Sequence, residues 1–305
     1  MLKPYLQLVR IPAVFSSLSN AWAGWWIGGA VALSVGATRA PVTSLILGLI
    51  AAAAYLLAGM ALNDIADLEV DRKERPSRPL PAGAVPVRSA WLLVIGLFAL
   101  GLLCQSIANP VSAVVGLLLV AAIFLYNFVL KGTALGPLSM GLCRALNLAG
   151  AMALGFPSLK TFLALPVPVY GALVSLGFYV ALVTYLARDE VTGNSVSRAR
   201  VFFMGFAAWF SAWAAFAATS HSLASLGVVA VLVVHLFLMK DALAGLRTMP
   251  GSPATTGKTV GGMLGSMPAT DALAMFAAGV FWPAALAGLV WMLPGKWLAR
   301  RFYST

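Results

Sequence analysis

Apolar residues run along this chain in long stretches that are separated by short polar segments. Each stretch holds about 20 residues, the length that an α-helix needs to cross a bilayer. Polar and apolar positions do not alternate within the stretches, and a helix pairs all of its own backbone amides in lipid. The pattern predicts about nine transmembrane helices, near residues 12–33, 43–63, 90–108, 111–130, 136–155, 164–187, 201–219, 225–246 and 271–293.

Composition supports an all-α integral membrane protein. Hydrophobic residues make up 61% of the 305 positions and charged residues only 10%, whereas soluble domains carry about 25% charged residues. No linker separates two parts, so we expect one polytopic domain over residues 1–305. The net charge of +11 lies in connecting segments, which favours contact with lipid headgroups or diphosphates. No motif indicates a nucleic-acid partner.

The distribution of positive charge predicts the orientation. With the N-terminus in the cytoplasm, most of the 20 lysines and arginines lie on the cytoplasmic side, as the positive-inside rule requires. The long polar segments 64–89, 188–200 and 247–270 then share that side, so we expect the chemistry there. We expect a bacterial inner or plasma membrane. An eight-span alternative would also place the basic C-terminal tail inside.

Five of the nine acidic residues follow the second apolar stretch. Asp64, Asp67 and Asp71 are spaced so that a regular helix would place them on one face. Three neighbouring carboxylates repel one another unless cations lie between them. Mg²⁺ takes oxygen ligands and is usually shared between carboxylates and substrate phosphates. We therefore predict that these carboxylates, with the amide oxygen of Asn63, hold Mg²⁺.

Basic residues follow the acids directly. Arg72, Arg75 and Arg78 supply donors for phosphate oxygens, which arginine binds with two parallel hydrogen bonds. Acids for a metal and bases for phosphate in one segment indicate a magnesium–diphosphate site. The alternative is a solvated loop in which the charges pair among themselves, for example Asp71 with Arg75.

The stretch from Asn63 to Gly83 reads N-D-x-x-D-x-x-x-D and then R-P-x-R-P-L-P-x-G. It resembles the first aspartate-rich motif of the UbiA superfamily of membrane prenyltransferases. The resemblance implies a bundle of about nine helices with a cytoplasmic active-site mouth. It also implies Mg²⁺-dependent transfer of a prenyl group from an allylic diphosphate to an aromatic or other lipid-forming acceptor. By resemblance, the Asn and the three Asp residues hold Mg²⁺ on the diphosphate, and Arg72 and Arg78 help to position it.

Two further segments extend the resemblance. The family often has a Tyr and a Lys one helical turn apart after the fourth span, where both touch the diphosphate. Here Tyr126 and Lys131 are five residues apart, and by resemblance we expect them to contact the diphosphate. Lys131 is alternatively an ordinary lysine that reaches the membrane surface. After the sixth span the family places spaced acids, where this chain has the adjacent pair Asp189 and Glu190. Arg188 directly precedes the pair, and we expect it to contact the substrate. We expect one carboxylate of that pair to bind a second Mg²⁺; a surface pair is the alternative.

Arg144 and Asn147 lie one helical turn apart inside an apolar stretch. A charge within the membrane is costly and indicates function by default. We expect both residues to contact the diphosphate or the acceptor, while a structural tie to Asp189 or to backbone carbonyls is the alternative. This stretch, together with residues 187–191 and 256–271, also resembles the divergent EboC-like bacterial branch of the superfamily.

The predicted function is therefore prenyl transfer. The partners are a prenyl diphosphate donor, a lipophilic or aromatic acceptor and membrane lipids. A non-catalytic isoprenoid-binding or scaffold protein of the same fold is an alternative. A CDP-alcohol phosphotransferase would need a Gly and an Ala-Arg pair that are missing around Asp67. A transporter would need a binding site near the middle of the membrane, whereas the charges here gather at one side.

Overall fold

The computed structural model describes residues 2–34, 39–188, 196–220, 222–287 and 290–291, which form helices joined by turns and loops and contain no strand. The all-α prediction is confirmed for these residues. The helices are α1 (Leu2–Leu8), α2 (Val14–Ser34), α3 (Val42–Ala66), α4 (Leu68–Glu74), α5 (Val87–Ala108), α6 (Pro110–Leu125), α7 (Gly136–Ala153), α8 (Leu159–Leu163), α9 (Val167–Ala187), α10 (Val196–Ser220), α11 (Leu223–Thr248), α12 (Pro253–Gly265), α13 (Met267–Ala277) and α14 (Phe281–Ala287). A 3₁₀ turn at Ile11–Ala13 precedes α2, and a π-helical turn at Tyr126–Leu130 follows α6.

Six of the described helices are long and apolar enough to span a membrane: α3, α5, α6 with its π-turn, α9, α10 and α11. A multi-pass integral membrane protein is thereby confirmed. Helices α2 and α7 coincide with the first and fifth predicted stretches and bury several polar side chains. The count of nine spans and the cytoplasmic orientation stay predictions.

The last predicted stretch, 271–293, does not form one continuous helix. Helix α13 ends at Ala277 and α14 begins at Phe281. Between them Gly279 has a φ of 74°, a left-handed conformation that glycine adopts at little cost. The expectation of an unbroken helix from residue 271 is therefore wrong, because the backbone turns at this glycine.

Helices α2 and α7 approach each other closely through Gly24 and Gly28. A Cβ on Gly24 would lie 2.5 Å from the carbonyl oxygen of Leu148, and one on Gly28 would meet the carbonyl oxygen of Met152. Small residues four apart allow this backbone contact within a membrane. Helix α7 consequently lies at the centre of the bundle, where it also packs against α6 and α9.

Polar segments that are distant in sequence meet at one end of the bundle. Arg10, before α2, pairs with Asp64 near the end of α3. Lys131, after the π-turn, pairs with Asp67. The side chain of Arg188, after α9, donates to the carbonyl oxygen of Lys131 at 3.0 Å. Four chain segments thus bring their charges to a common region, which is where the candidate site lies.

Candidate active site

The three aspartates of the acidic segment do not lie on one regular helix. Helix α3 ends at Ala66, Asp67 has φ −89° and ψ 3°, and α4 begins at Leu68. Backbone N–H groups of Asp67 and Asp71 still donate to the carbonyls four residues earlier, at 3.0 and 2.8 Å. The chain therefore bends without losing its hydrogen bonds. Asp64 and Asp71 contact Arg78, whereas Asp67 contacts Lys131, and the single carboxylate face stays a prediction.

Asp64 and Asp71 are buried and share one arginine. Their exposed fractions are 3% and 2%. Nη1 of Arg78 lies 2.5 Å from Oδ2 of Asp71 and 3.5 Å from Oδ1 of Asp64. Two buried carboxylates need such a partner, since an unpaired buried charge is strongly destabilising.

Arg10 completes this pair of acids, and the sequence reasoning missed it as a site residue. Its Nη2 lies 2.7 Å from Oδ1 of Asp64. Arg10 is also the one residue other than glycine with positive φ in the described part of the chain, at 50°. The available signal was an arginine at the edge of the first apolar stretch, directly before Ile11-Pro12. In the sequence alone, this arginine counts only as a charge that sets the orientation.

Asp67 faces a different set of partners. Nζ of Lys131 forms an ion pair with Oδ2 of Asp67 and donates to Oδ1 of Asn63 at 2.7 Å. Nδ2 of Asn63 donates to the same Asp67 oxygen at 3.2 Å. The side chain of Asp67 is 26% exposed, so this carboxylate is more open to incoming ligands than the two buried ones.

The π-turn explains the five-residue spacing between Tyr126 and Lys131. The N–H of Lys131 donates to the carbonyl oxygen of Tyr126 at 2.8 Å, which is the i to i−5 pattern of a π-helix. In this turn, five residues span about one helical turn. Tyr126 therefore borders a cavity within the helical bundle, while Lys131 reaches Asn63 and Asp67.

The remaining arginines of the acidic segment lie further from the carboxylates. Arg72 pairs with Glu69 at 2.6 Å, and both side chains are more than half exposed. Nη1 of Arg75 is 3.9 Å from Oδ1 of Asp71. The ion pair between Asp71 and Arg75 that a solvated loop would form is therefore present, but its N–O distance is longer than that between Arg78 and Asp71. The structure does not bring Arg72 to the three aspartates, and its predicted role in positioning a diphosphate stays a prediction.

A cavity of about 320 Å³ opens beside these charges. Most of its wall is apolar and comes from α3, α6, α7, α9 and α12. The polar side chains on the wall belong to Arg10, Ser17, Tyr55, Asn63, Tyr126, Asn127, Arg144, Asn147 and Thr184. The cavity therefore combines an ionic end with a largely apolar interior.

Arg144 and Asn147 lie on the cavity wall. Nη2 of Arg144 donates to Oγ of Ser16 at 3.1 Å, and Nδ2 of Asn147 donates to the carbonyl oxygen of Ser17 at 3.3 Å. Both residues tie α7 to α2. The sequence reasoning missed Asn127, which also lines the cavity. It is uncharged, so its sequence position gave no signal of a role in the site.

The second predicted acidic pair, Asp189 and Glu190, lies outside the described residues. Its neighbour Arg188 is within them and donates to the carbonyl oxygens of Lys131 and Thr133. Arg188 thus holds the end of α9 against the segment that carries Lys131. Its predicted contact with substrate stays a prediction.

The donor atoms of the site are those that Mg²⁺ prefers, namely carboxylate and amide oxygens. Within the described ranges, no three His, Cys, Asp or Glu side chains form a group that could hold a metal ion. The aspartates are instead paired with arginine and lysine. The set therefore fits a metal that is shared with substrate phosphates and water, and it does not fit an all-protein cage.

The fold and the site together define a helical membrane protein with an ionic cluster at the mouth of an apolar cavity. A sequence model of the UbiA prenyltransferase family matches residues 21–193, which is more than half of the chain. The protein belongs to the UbiA prenyltransferase family.

Several archaeal proteins named digeranylgeranylglyceryl phosphate synthase are similar in sequence. The one from Metallosphaera sedula is 34% identical over 148 residues, which cover 48% of this chain and 50% of that protein. The one from Methanopyrus kandleri is 36% identical over 134 residues, 44% of this chain and 46% of that protein. The chain thus matches about half the length of these relatives.

Solved structures of UbiA homologues share the fold. A homologue from Aeropyrum pernix K1 has a TM-score of 0.65 at 21% identity, covering 85% of this chain and 97% of that one. A homologue from Archaeoglobus fulgidus bound to GPP and Mg²⁺ has a TM-score of 0.60 at 17% identity, covering 87% and 99%. At these identities the likeness concerns the fold.

Proposed function

We propose that this protein transfers a prenyl group from an allylic prenyl diphosphate to a lipophilic or aromatic acceptor, with Mg²⁺. The observation that carries the proposal is the meeting of Asp64, Asp71 and Arg78 with Asp67 and Lys131 beside an apolar-walled cavity. Family membership and the Mg²⁺ and GPP bound to the Archaeoglobus fulgidus homologue support the proposal.

The oxygen donors of the acidic segment have the proposed role of holding Mg²⁺. They are Asn63, Asp64, Asp67 and Asp71, with Asp189 and Glu190 from the segment outside the described residues. When bound there, Mg²⁺ would act as a Lewis acid that stabilises the leaving diphosphate. Binding by several carboxylates also orients the diphosphate relative to the cavity.

The basic side chains have the proposed role of binding diphosphate oxygens. Arg78 and Lys131 are already at the carboxylates, and Arg72, Arg75 and Arg188 lie on neighbouring segments. In the structure each cation is paired with a protein carboxylate or a carbonyl. With a magnesium–diphosphate bound, the carboxylates would hold the metal and the cations would donate to phosphate oxygens. Every charge keeps a partner, so the exchange avoids leaving a buried ion unpaired.

The apolar part of the cavity would hold the prenyl chain. Leu119, Ile123, Val180 and Val183 line it, and they offer an apolar surface to the chain. Exclusion of water protects a reactive allylic cation from hydrolysis. Tyr126 lies near the ionic end, where its ring can face positive charge on the prenyl group.

The pairing of the carboxylates with arginine is also compatible with a second candidate function, binding of an isoprenoid diphosphate without catalysis. Asp64 is held by two arginines, Arg10 and Arg78, so a protein that binds isoprenoid diphosphate without turnover would present the same geometry.

The acceptor class is proposed as lipid-forming, because the archaeal relatives are named for a glyceryl phosphate lipid.

A transfer assay separates the two candidates. The purified protein in nanodiscs would be given radiolabelled geranyl, farnesyl or geranylgeranyl diphosphate, Mg²⁺ and an extract of membrane lipids and quinone precursors. We expect a labelled lipid that disappears with EDTA. Asp64→Ala and Asp67→Ala should abolish it, while Glu69→Ala, at a side chain that is 81% exposed, should not.

Unchanged turnover in both aspartate variants would refute the assignment of the site. Mg²⁺-dependent binding of donor without product across the acceptor set would favour the non-catalytic candidate. Absence of donor binding would reject both.

A further inference from the structure

Arg39 follows α2 at the end of the bundle opposite the candidate active site. Its guanidinium carbon lies 3.7 Å from the ring centroid of Trp26 and 4.3 Å from that of Trp25. Trp25 in turn donates to Oγ of Ser44, in the first turn of α3, at 3.1 Å. Asp64 lies 20 residues further along the same helix, which is roughly 30 Å at the rise of a helix. The aromatic contacts of Arg39 are therefore about the thickness of a bilayer core away from the acidic segment.

Arg39 and its two tryptophans lie at the level where several helices end. The apolar cluster that contains Trp25 also includes Leu154, which directly follows α7, and packs against Ala108, the last residue of α5. Tryptophan is enriched where transmembrane helices meet the lipid headgroups, because its ring is apolar and its N–H is polar. This level therefore corresponds to the headgroup layer of the membrane.

Arg39 has no counter-charge among the described residues. Its Nε and Nη2 are buried and have no hydrogen-bond partner in the described part of the chain. No carboxylate of that part lies within 4.0 Å of the guanidinium. The indole rings attract the positive charge but accept none of its in-plane N–H groups. Because an unpaired donor on a charged group is costly, we expect a partner from outside the protein.

One neighbouring tryptophan also has an unused donor. Nε1 of Trp22 donates to the carbonyl oxygen of Pro283 at 3.2 Å, and Nε1 of Trp25 is likewise paired. The ring of Trp26 packs against both indoles, yet its Nε1 is buried without a partner in the described structure. As whole residues, Arg39 and Trp26 are only partly buried. A small rotation of these side chains would therefore present their N–H groups to the membrane surface.

We propose that Arg39 and Trp26 bind the phosphate group of a membrane phospholipid in the leaflet opposite the candidate active site. The unpaired atoms of both side chains are donors, and a phosphate diester only accepts hydrogen bonds. Arginine binds phosphate oxygens with two parallel hydrogen bonds, and the indole N–H adds another donor. A phospholipid is favoured over free phosphate because its phosphate lies in the headgroup layer. The lipid site is independent of the proposed function, since it uses no residue of the ionic end.

Native mass spectrometry of the purified protein in detergent tests the proposal. Dioleoylphosphatidylglycerol, dioleoylglycerol and inorganic phosphate would be titrated separately, which compares the phospholipid with its chains alone and with the free anion. The variants are Arg39→Gln, Arg39→Lys and Trp26→Phe. One control is Trp25→Phe, which removes an indole N–H that is already paired. The other is Arg88→Gln, at an exposed arginine of α5, which changes the net charge equally.

We expect the wild type to bind one phosphatidylglycerol about tenfold more tightly than dioleoylglycerol, and to bind inorganic phosphate weakly. Arg39→Gln should weaken phosphatidylglycerol binding about tenfold and Trp26→Phe about threefold, while Arg39→Lys should retain part of the affinity. Trp25→Phe and Arg88→Gln should stay within about twofold of the wild type. Mg²⁺ with inorganic pyrophosphate, which are ligands for the ionic end, should not displace the lipid.

Equal affinity for phosphatidylglycerol and dioleoylglycerol would overturn the inference, as would an unchanged affinity in Arg39→Gln. Equal losses in Trp26→Phe and Trp25→Phe would reject the role of the unpaired indole N–H. Tight binding of inorganic phosphate with no gain from the lipid chains would reject a lipid site, and displacement by Mg²⁺ and pyrophosphate would place the lipid at the ionic end instead. If Arg39→Gln does not fold, Trp26→Phe and the comparison of ligands on the wild type still decide the matter.

Discussion

Arg78 holds the carboxylate of Asp71 at 2.5 Å, although Asp71 is 2% exposed and lies seven residues earlier in the chain. The same guanidinium nitrogen is 3.5 Å from Asp64. One arginine thus bridges two acids on either side of the bend at Asp67. Its positive charge offsets their repulsion, and at the proposed site a bound diphosphate would compete for it.

Removal of this bridge should impair donor use strongly. Arg78→Gln would delete the proposed phosphate ligand and would remove the cation that contacts two buried carboxylates. We expect kcat/KM for the prenyl diphosphate to fall about 100-fold, with a smaller loss in Arg72→Gln, because Arg72 pairs with Glu69 on the exposed side. Steady-state kinetics measure this, and Arg88→Gln serves as the control. Equal losses at positions 72 and 78 would contradict the structure.

Lys131 should contribute to donor affinity through its place after the π-turn. Lys131→Met removes the cation that contacts Asn63 and Asp67, so we expect the donor KM to rise about tenfold. The exposed Lys160 on α8 provides the matched control, Lys160→Met. A donor KM that is the same in both variants would show that Lys131 is an ordinary surface lysine.

Metal and diphosphate should bind together and only weakly alone. The aspartates already have cationic partners, so Mg²⁺ by itself must displace them and diphosphate by itself must do without the metal. We expect Mg²⁺ plus inorganic pyrophosphate to raise the Tm of the purified protein by several degrees more than the sum of the separate shifts. EDTA should reverse the increase. Additive shifts would argue against a shared site, and Asp67→Ala should lose the joint effect.

The contact between α2 and α7 should be sensitive to a single methyl group. Gly28→Ala would push a Cβ into the backbone of Met152, and overpacking of this kind costs about 1–3 kcal/mol. We expect a lower Tm in detergent for Gly28→Ala. In Gly96→Ala, where a Cβ meets nothing within 4 Å, the Tm should not fall. Equal Tm values for the two variants would mean that α2 and α7 separate easily.

Local pattern determined much of this protein. Long apolar stretches predict helices because lipid leaves the backbone no other partner, and six helices of the described chain are long and apolar enough to span a membrane. The spacing of Asn63, Asp64, Asp67 and Asp71 with the following R-P-x-R-P-L-P-x-G indicated the family, which the match over residues 21–193 confirms. The cost of burying a charge likewise singles out Arg144 from its apolar sequence surroundings alone.

Tertiary structure decided which charges meet and where the helices bend. The pairing of Arg10 with Asp64 joins residues 54 apart in the chain, and nothing local in the sequence specifies such a partner. The bend at Asp67 and the π-turn before Lys131 likewise have no local signal in the sequence, because helix propensities are a weak prior that tertiary context overrides. The sequence by itself therefore determined the elements and the chemical groups, while long-range packing decided their partners.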